Sequence, residues 1–156
     1  MTDKNSQSQQ ILESNPALQN LDVLAGEWDV DGSLPLEPLA IVRGHTSFKW
    51  LEDGAFLLYH SYIERTEFPR ATAIIGPDDA AGTYSMLYFD SRGVSRIYEM
   101  SLSNGTWKLW REFPGFSQRF IGRFSDDRNT ITATWEKSSD GSNWELDFGL
   151  TYKRVK

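Results

Sequence analysis

From Trp28 onward, short stretches of aromatic and β-branched residues alternate with polar positions at a period of two. Turn signals interrupt them roughly every 8 to 12 residues. They are Asp53-Gly54, Gly76-Pro77-Asp78-Asp79, Ser91-Arg92-Gly93, Asn104-Gly105, Pro114-Gly115, Asp126-Asp127-Arg128-Asn129 and Asp140-Gly141. No helical stretch lies between them. The pattern predicts an all-β, antiparallel up-and-down meander of about ten strands, at roughly 26–33, 41–52, 55–65, 70–76, 82–90, 94–103, 106–113, 116–125, 130–137 and 143–154. So many strands leave exposed edges unless the sheet closes, so a barrel is expected. Ahead of it, Asn15-Pro16 is a helix-start signal. Leu18, Leu21 and Leu24 form a short apolar stripe that Gly26 ends, which predicts one short N-terminal helix. Residues 1–12 are polar at the start and without period, the signature of a loose tail; residues 13–156 read as a single domain.

Hairpin registers carry side-chain facing from strand to strand, because successive side chains point to opposite faces. A two-residue turn at Asn104-Gly105 pairs Leu102 with Trp107 and Met100 with Leu109, and sets Tyr98 opposite Arg111 and Arg96 opposite Phe113. The Pro114-Gly115 turn pairs Phe113 with Phe116, Arg111 with Gln118 and Leu109 with Phe120. Both assign the same interior. A three-residue loop at 91–93 adds Tyr84, Met86 and Tyr88 to that face. In the last hairpin Ile131, Ala133 and Trp135 alternate with threonines, and Trp144, Leu146, Phe148, Leu150 and Tyr152 alternate with Glu145, Asp147 and Thr151. For the strands flanking Asp53-Gly54, the face carrying Phe48, Trp50 and Tyr59 is the favoured interior. The opposite face holds Lys49 and an expected Arg43–Glu64 cross-strand pair; His45, His60 and Tyr62 inside is the alternative.

This interior is not uniformly apolar. Arg96, Tyr98, Arg111 and Gln118 fall on three adjacent strands beside Tyr84 and Tyr88. Two guanidiniums taken from water without partners cost several kcal/mol each, and no carboxylate shares their face in those strands. Either solvent at a barrel mouth satisfies them, their stems alone being buried, or an anion does. Arginine's planar fork suits a carboxylate or phosphate, while Trp107, Phe113 and Phe120 would wrap an apolar body. An apolar pocket with a few convergent polar groups is the usual form of a small-molecule site. The expected ligand is therefore a small hydrophobic or amphipathic, anionic molecule.

Composition narrows the choice. Lys and Arg total 16 against 22 Asp and Glu, a net charge of -6, which argues against a nucleic-acid partner. No apolar run approaches the roughly 20 residues of a membrane helix, and the polar start has no signal-peptide core; a cytoplasmic protein is expected. The chain has no Cys and only 2 His, and its paired aspartates fall in turns, so neither a metal site nor a thiol nucleophile is expected. No catalytic constellation is assigned. An outward Trp110 leaves a homodimer contact as one reading.

Leu24-Ala25-Gly26-Glu27-Trp28, a Gly-x-Trp entering the first strand after a short helix, resembles the signature of the calycin superfamily. Leu150-Thr151-Tyr152-Lys153-Arg154-Val155 resembles the last strand of its nitrobindin-like members. Ten strands look more like the nitrobindin and fatty-acid-binding branches than the eight-stranded lipocalins, and the stretch Trp50-Leu51-Glu52-Asp53-Gly54-Ala55-Phe56-Leu57 is similar to bacterial members of the group. The resemblance implies that Arg154 stacks on Trp28 to close one end of the barrel. Arg96-Ile97-Tyr98 has the spacing of the Arg-x-Tyr pair that holds a carboxylate in fatty-acid-binding barrels, on a middle strand here. Nitrobindins hold haem through a His in the last strand; Gly149 stands at that position, so no cofactor is expected. A haem-binding nitrobindin-like protein is one alternative. Another is an isomerase or cyclase whose Arg96 and Arg111 stabilise developing negative charge while a Tyr or His60 moves a proton.

Overall fold

Asn15 and Pro16 start the helix: the Asn15 side chain accepts from the Ala17 amide, and Pro16 occupies the first turn, where its missing N–H costs nothing. In the computed structural model, which describes residues 15–35, 40–78 and 83–156, this helix, α1, spans Pro16–Leu21. The tail expected at 1–12 lies outside the described residues. Ten strands follow: β1 (Gly26–Leu34), β2 (Ala40–Leu51), β3 (Phe56–Ile63), β4 (Ala71–Asp78), β5 (Thr83–Asp90), β6 (Ser95–Ser103), β7 (Thr106–Arg111), β8 (Ser117–Phe124), β9 (Thr130–Ser138) and β10 (Glu145–Arg154). Each pairs antiparallel with its neighbours in the chain, and β1 pairs with β10, so the sheet closes and no edge remains.

Turn chemistry sets the registers. Asn104 adopts φ 52° and Gly105 φ 73°, the left-handed pair of a tight hairpin. The turn joins Ser103 to Thr106 and so Leu102 to Trp107 and Met100 to Leu109. The next hairpin pairs Leu109 with Phe120 and Arg111 with Gln118. In β2 and β3, Phe48 pairs with Tyr59 and Trp50 with Leu57. Phe48 and Leu57 are buried, whereas Tyr62 and His60 are exposed, so the Phe48 face is the interior. Arg43 pairs with Asp31 across β1–β2 at 3.8 Å, not with Glu64 as the sequence pattern led us to expect.

The last hairpin departs from simple alternation. The β9–β10 register shifts between Leu146 and Phe148, so Leu146 faces Glu136 while Phe148 faces Trp135. This bulge re-aims the strand before it. Leu146 is half exposed, and Trp144 lies outside with the Arg119 guanidinium 4.1 Å from its ring centroid. Trp144 and Leu146 are therefore corrected to the outer face, and Asp147 turns towards the interior.

The end of the barrel beneath α1 is packed solid. Leu18, Leu21, Leu24, Trp28, Met100, Leu102 and Ile131 are buried there. Asn20 Nδ2 donates to the Leu102 carbonyl at 2.6 Å, and the Tyr84 hydroxyl donates to the Ala17 carbonyl at 2.7 Å, tying the helix to β5 and β6. The Arg154 guanidinium lies 4.1 Å from the Trp28 ring centroid. It donates to the carbonyls of Ala25 and Val23 at 2.7 Å each, and Trp28 Nε1 donates to the Leu24 carbonyl. The short strand-entry segment thus hangs on one cation from the last strand.

Candidate functional site

Opposite α1 the barrel is hollow. A cavity of about 300 Å³ opens among the β3–β4, β5–β6 and β7–β8 loops, which contribute Phe68, Arg92 and Phe116 to its rim. The registers of β6, β7 and β8 bring Arg96, Tyr98, Gln118 and Phe120 onto one wall. Trp135 of β9 packs on Tyr98 and Phe120, with ring centroids 5.5 and 5.1 Å away. Deeper, Trp107 lies edge-on to Phe48 and Phe120. The walls are mostly apolar, with a few polar atoms at fixed places.

Gln118 organises those polar atoms. Its Oε1 accepts from the Tyr98 hydroxyl at 2.9 Å and from Arg96 Nη1 at 3.4 Å. Burial raises the Tyr98 phenol above its usual range, against the lowering effect of Arg96, so it stays neutral and donates. Arg96 also lies over the Phe116 ring at 5.4 Å, and among the described residues it has no ion pair. Its neighbours at the mouth differ. Asp90 takes Arg92 Nη2 at 2.7 Å and the Tyr88 hydroxyl at 2.9 Å, and Asp147, brought inward by the bulge, takes Lys137 at 3.6 Å. Asp90 and Asp147 are thus each already matched to another cation.

Arg111, Phe113 and Tyr84 stand apart from the cavity. Arg111 shares the inner-face register with Gln118, but its guanidinium lies 4.4 Å from the centroid of the Phe113 ring, which is 53% exposed. It reaches the site only through its field, which lowers the Tyr98 phenol. Tyr84 is buried at the far end against α1. Tyr88, Tyr98, Trp107, Gln118, Phe120 and Arg96 do line the cavity. Tyr59, Tyr152, Phe148 and Asp147 line it too, and sequence reasoning did not name them as site residues; Asp147 needed the bulge, while the other three were on the predicted inner face all along.

Both histidines lie on the outer surface. His45 sits between Glu27 and Asp29 of β1, and the hydrogen bond to Glu27 raises its pKa. His60 contacts the Thr72 hydroxyl at 3.2 Å. Neither can move a proton in the cavity. Gly149 alternates with Phe148 and Leu150 and so also faces outward. A haem held through histidine does not fit these residues. Trp110 is only half-buried on the outer face; a more extensive exposed apolar surface is the cross-strand row Ile74–Leu87–Ile97, with Phe89 beside it.

The Asp90 cluster carries a pH dependence. Arg92, chiefly through its side-chain hydrogen bonds, holds the Asp90 carboxyl down to about 2 from an ordinary 3.8. A depressed carboxylate stabilises the folded state fully above its unfolded pKa, and that contribution disappears as pH falls through the folded value. The Asp90 carboxyl carbon followed by NMR should titrate near pH 2; a midpoint near 3.8 would show that the Arg92 contact is absent in solution.

No family model matches the chain, and no curated protein matches it. Among solved structures, Rv2717c from M. tuberculosis is similar at a TM-score of 0.65 and 13% identity, over 91% of this chain and 99% of that one. A protein of unknown function from the DUF3598 family of Nostoc punctiforme PCC 73102 is similar at 0.60 and 15% identity, over 86% of this chain. The match spans about half the length of that second protein, 49%. At these identities the likeness is one of fold alone.

Proposed function

We propose that this barrel, calycin-like in type, binds a small amphipathic anion, its acidic head at Arg96 and its apolar body inside the cavity. The observation that carries the reading is the pairing pattern at the mouth. Asp90 and Asp147 each have a cation, whereas among the described residues Arg96 has only the Gln118 amide, the Tyr98 phenol and an aromatic face around it. A half-buried guanidinium held in place by neutral groups is preorganised for a carboxylate, because its donors are already oriented and its rotamer is already fixed. Phe120, Trp135 and Phe148 supply the apolar contact area below it.

Decanoate titrated into the protein and followed by calorimetry tests this directly. Saturable one-to-one binding is expected, and Arg96→Leu should weaken it about tenfold or more, the scale of a hydrogen bond to a charged group. Decanol, lacking the charge, should bind more weakly than decanoate to the wild type but equally to the variant. Unchanged decanoate affinity in Arg96→Leu would remove Arg96 from the site. Absence of any binding would overturn the anion-carrier reading.

A further inference from the structure

The outer surface of the barrel is not uniform. On β8, β9, β1 and β2 it carries ion pairs, among them Arg119–Glu136, Arg43–Asp31 and Lys49–Glu27. From β3 to β6 its character changes. The registers set Leu58, Ile74, Leu87 and Ile97 in one row across four strands. Phe89 lies beside that row on the side of the mouth. Phe56 lies on the other side, its ring 3.4 Å from where a Gly76 side chain would begin. In this row and the two flanking it, from β3 to β6, Glu99 is the one formal charge among the described residues.

The patch is large enough to matter. Phe56, Ile74, Leu87, Phe89 and Ile97 are 37–66% exposed. At about 200 Å² for a whole side chain of this size, roughly 450 Å² of apolar surface faces water. A standard interface buries about 800 Å² per partner, of which about 56–65% is apolar. The patch supplies that apolar share on its own, with the polar positions around it left to form a rim.

The chemistry of the face selects what covers it. Nucleic acid or an acidic lipid surface needs cations, and the centre of the patch has none among the described residues. Two copies of a chain with net charge -6 repel each other, so they meet at least cost through the face with the fewest charges. The ends of the row also differ in sign. Lys49 continues it beyond Leu58 on β2, while Glu99 stands beside Ile97 on β6 and has no ion pair among the described residues. Packed sheets keep their strands nearly aligned. A two-fold axis parallel to the strands exchanges β3 with β6 and β4 with β5. It sets Ile74 against the partner's Leu87 and brings the Lys49 end of one row to the Glu99 end of the other.

We propose that the outer face of β4, β5 and β6, centred on Ile74, Leu87 and Ile97, is the interface of a homodimer whose two-fold axis runs parallel to the strands. A closed two-fold contact uses the same patch on both copies, so it consumes the apolar row and leaves no second site for further growth. The proposal is independent of the anion-binding reading, because these side chains point away from the cavity.

Sedimentation velocity of the full chain at about 5 to 200 µM tests it. The wild type should move with rising concentration towards twice 17.8 kDa and stop there. Ile97→Lys should weaken association about thirtyfold or more, the scale of an interface hot spot. Leu87→Ser should act in the same direction, and both should keep the wild-type circular dichroism because both positions are exposed. Lys49→Glu should weaken the dimer about tenfold, since symmetry counts each charge contact twice, and adding Glu99→Lys should restore it. A wild type that stays monomeric throughout overturns the proposal, and floating with phosphatidylcholine vesicles as a monomer would assign the face to a lipid surface instead. A dimer that Ile97→Lys and Leu87→Ser leave intact places the interface elsewhere. A double charge variant no tighter than Lys49→Glu alone overturns the orientation of the axis. Decanoate affinity should be the same in Ile97→Lys as in the wild type, whichever way the association experiment falls.

Discussion

Replacing Trp28 by Ala should remove about 3–5 kcal/mol of stability, the usual cost of emptying a large buried aromatic site. Against a typical total of roughly 5–15 kcal/mol, that leaves a marginal fold. The residue is fully buried at the helix-covered end of the barrel and meets Phe124 edge-on at 6.4 Å. Its loss has a second consequence that a simple cavity would not. The Arg154 guanidinium sits over the indole and donates to the Ala25 and Val23 carbonyls. Without the ring beneath it, the guanidinium loses the surface that orients it, and the α1–β1 connection loses its tie to β10. Urea unfolding should show a lower midpoint, and amide exchange should speed up first in β1 and β10. Trp28→Phe should recover part of the loss. A midpoint within experimental error of the wild type would show that the stacked end contributes little.

Gly44→Ala should be comparably damaging for an opposite reason. Gly44 sits inside β2, between Val30 and Ile63. A Cβ there would run into the Tyr62 carbonyl oxygen and approach Ile63 Cα to 3.1 Å and its Cδ1 to 2.8 Å. The first two are backbone atoms, so no rotamer change relieves the clash. The backbone of β3 passes unusually close to β2 at this point, and a glycine inside a strand commonly marks such an approach. A methyl group therefore forces β2 and β3 apart at a cost of about 3 kcal/mol or more, the upper range for overpacking. Thermal unfolding monitored by circular dichroism should fall by many degrees. Gly93→Ala is the matched control. Nothing lies within 4 Å of a Cβ there, but Gly93 has φ +81°, so it reports backbone strain alone. Equal midpoints for the Gly44 and Gly93 variants would mean that the close approach is not present in solution.

The architecture was readable from turn chemistry because the decisive turns are short. A two-residue loop at Asn104-Gly105 permits one register, and that register fixes which of Trp107 and Lys108 is buried. The same logic carried through β7 and β8. It failed in β10, where the run from Trp144 to Tyr152 alternates so evenly that nothing in it announces an inserted residue. The bulge at Asp147 is a property of how β10 fits β9, and only the folded pairing reveals it. Two positions changed sides as a result, and a carboxylate entered the mouth. The site shows a related limit. Alternation gives Arg96 and Arg111 the same facing, yet Arg96 turns along the wall to Gln118 while Arg111 leans over the rim onto Phe113. Parity fixes where a Cβ points; for a side chain as long as arginine, the final position depends on which aromatic ring lies within reach.

Nine of the ten pairings join strands adjacent in the chain, and one, β1 with β10, joins the two ends of the fold. On the ribosome, hairpins can therefore form as they emerge, but the cylinder cannot seal until residue 154 has left the exit tunnel. Until that moment Gly26–Leu34 offers an open row of amides and carbonyls to any passing strand. The same late-arriving arginine that clamps Trp28 is thus the group whose emergence from the tunnel ends the nascent chain's period of greatest vulnerability to aggregation.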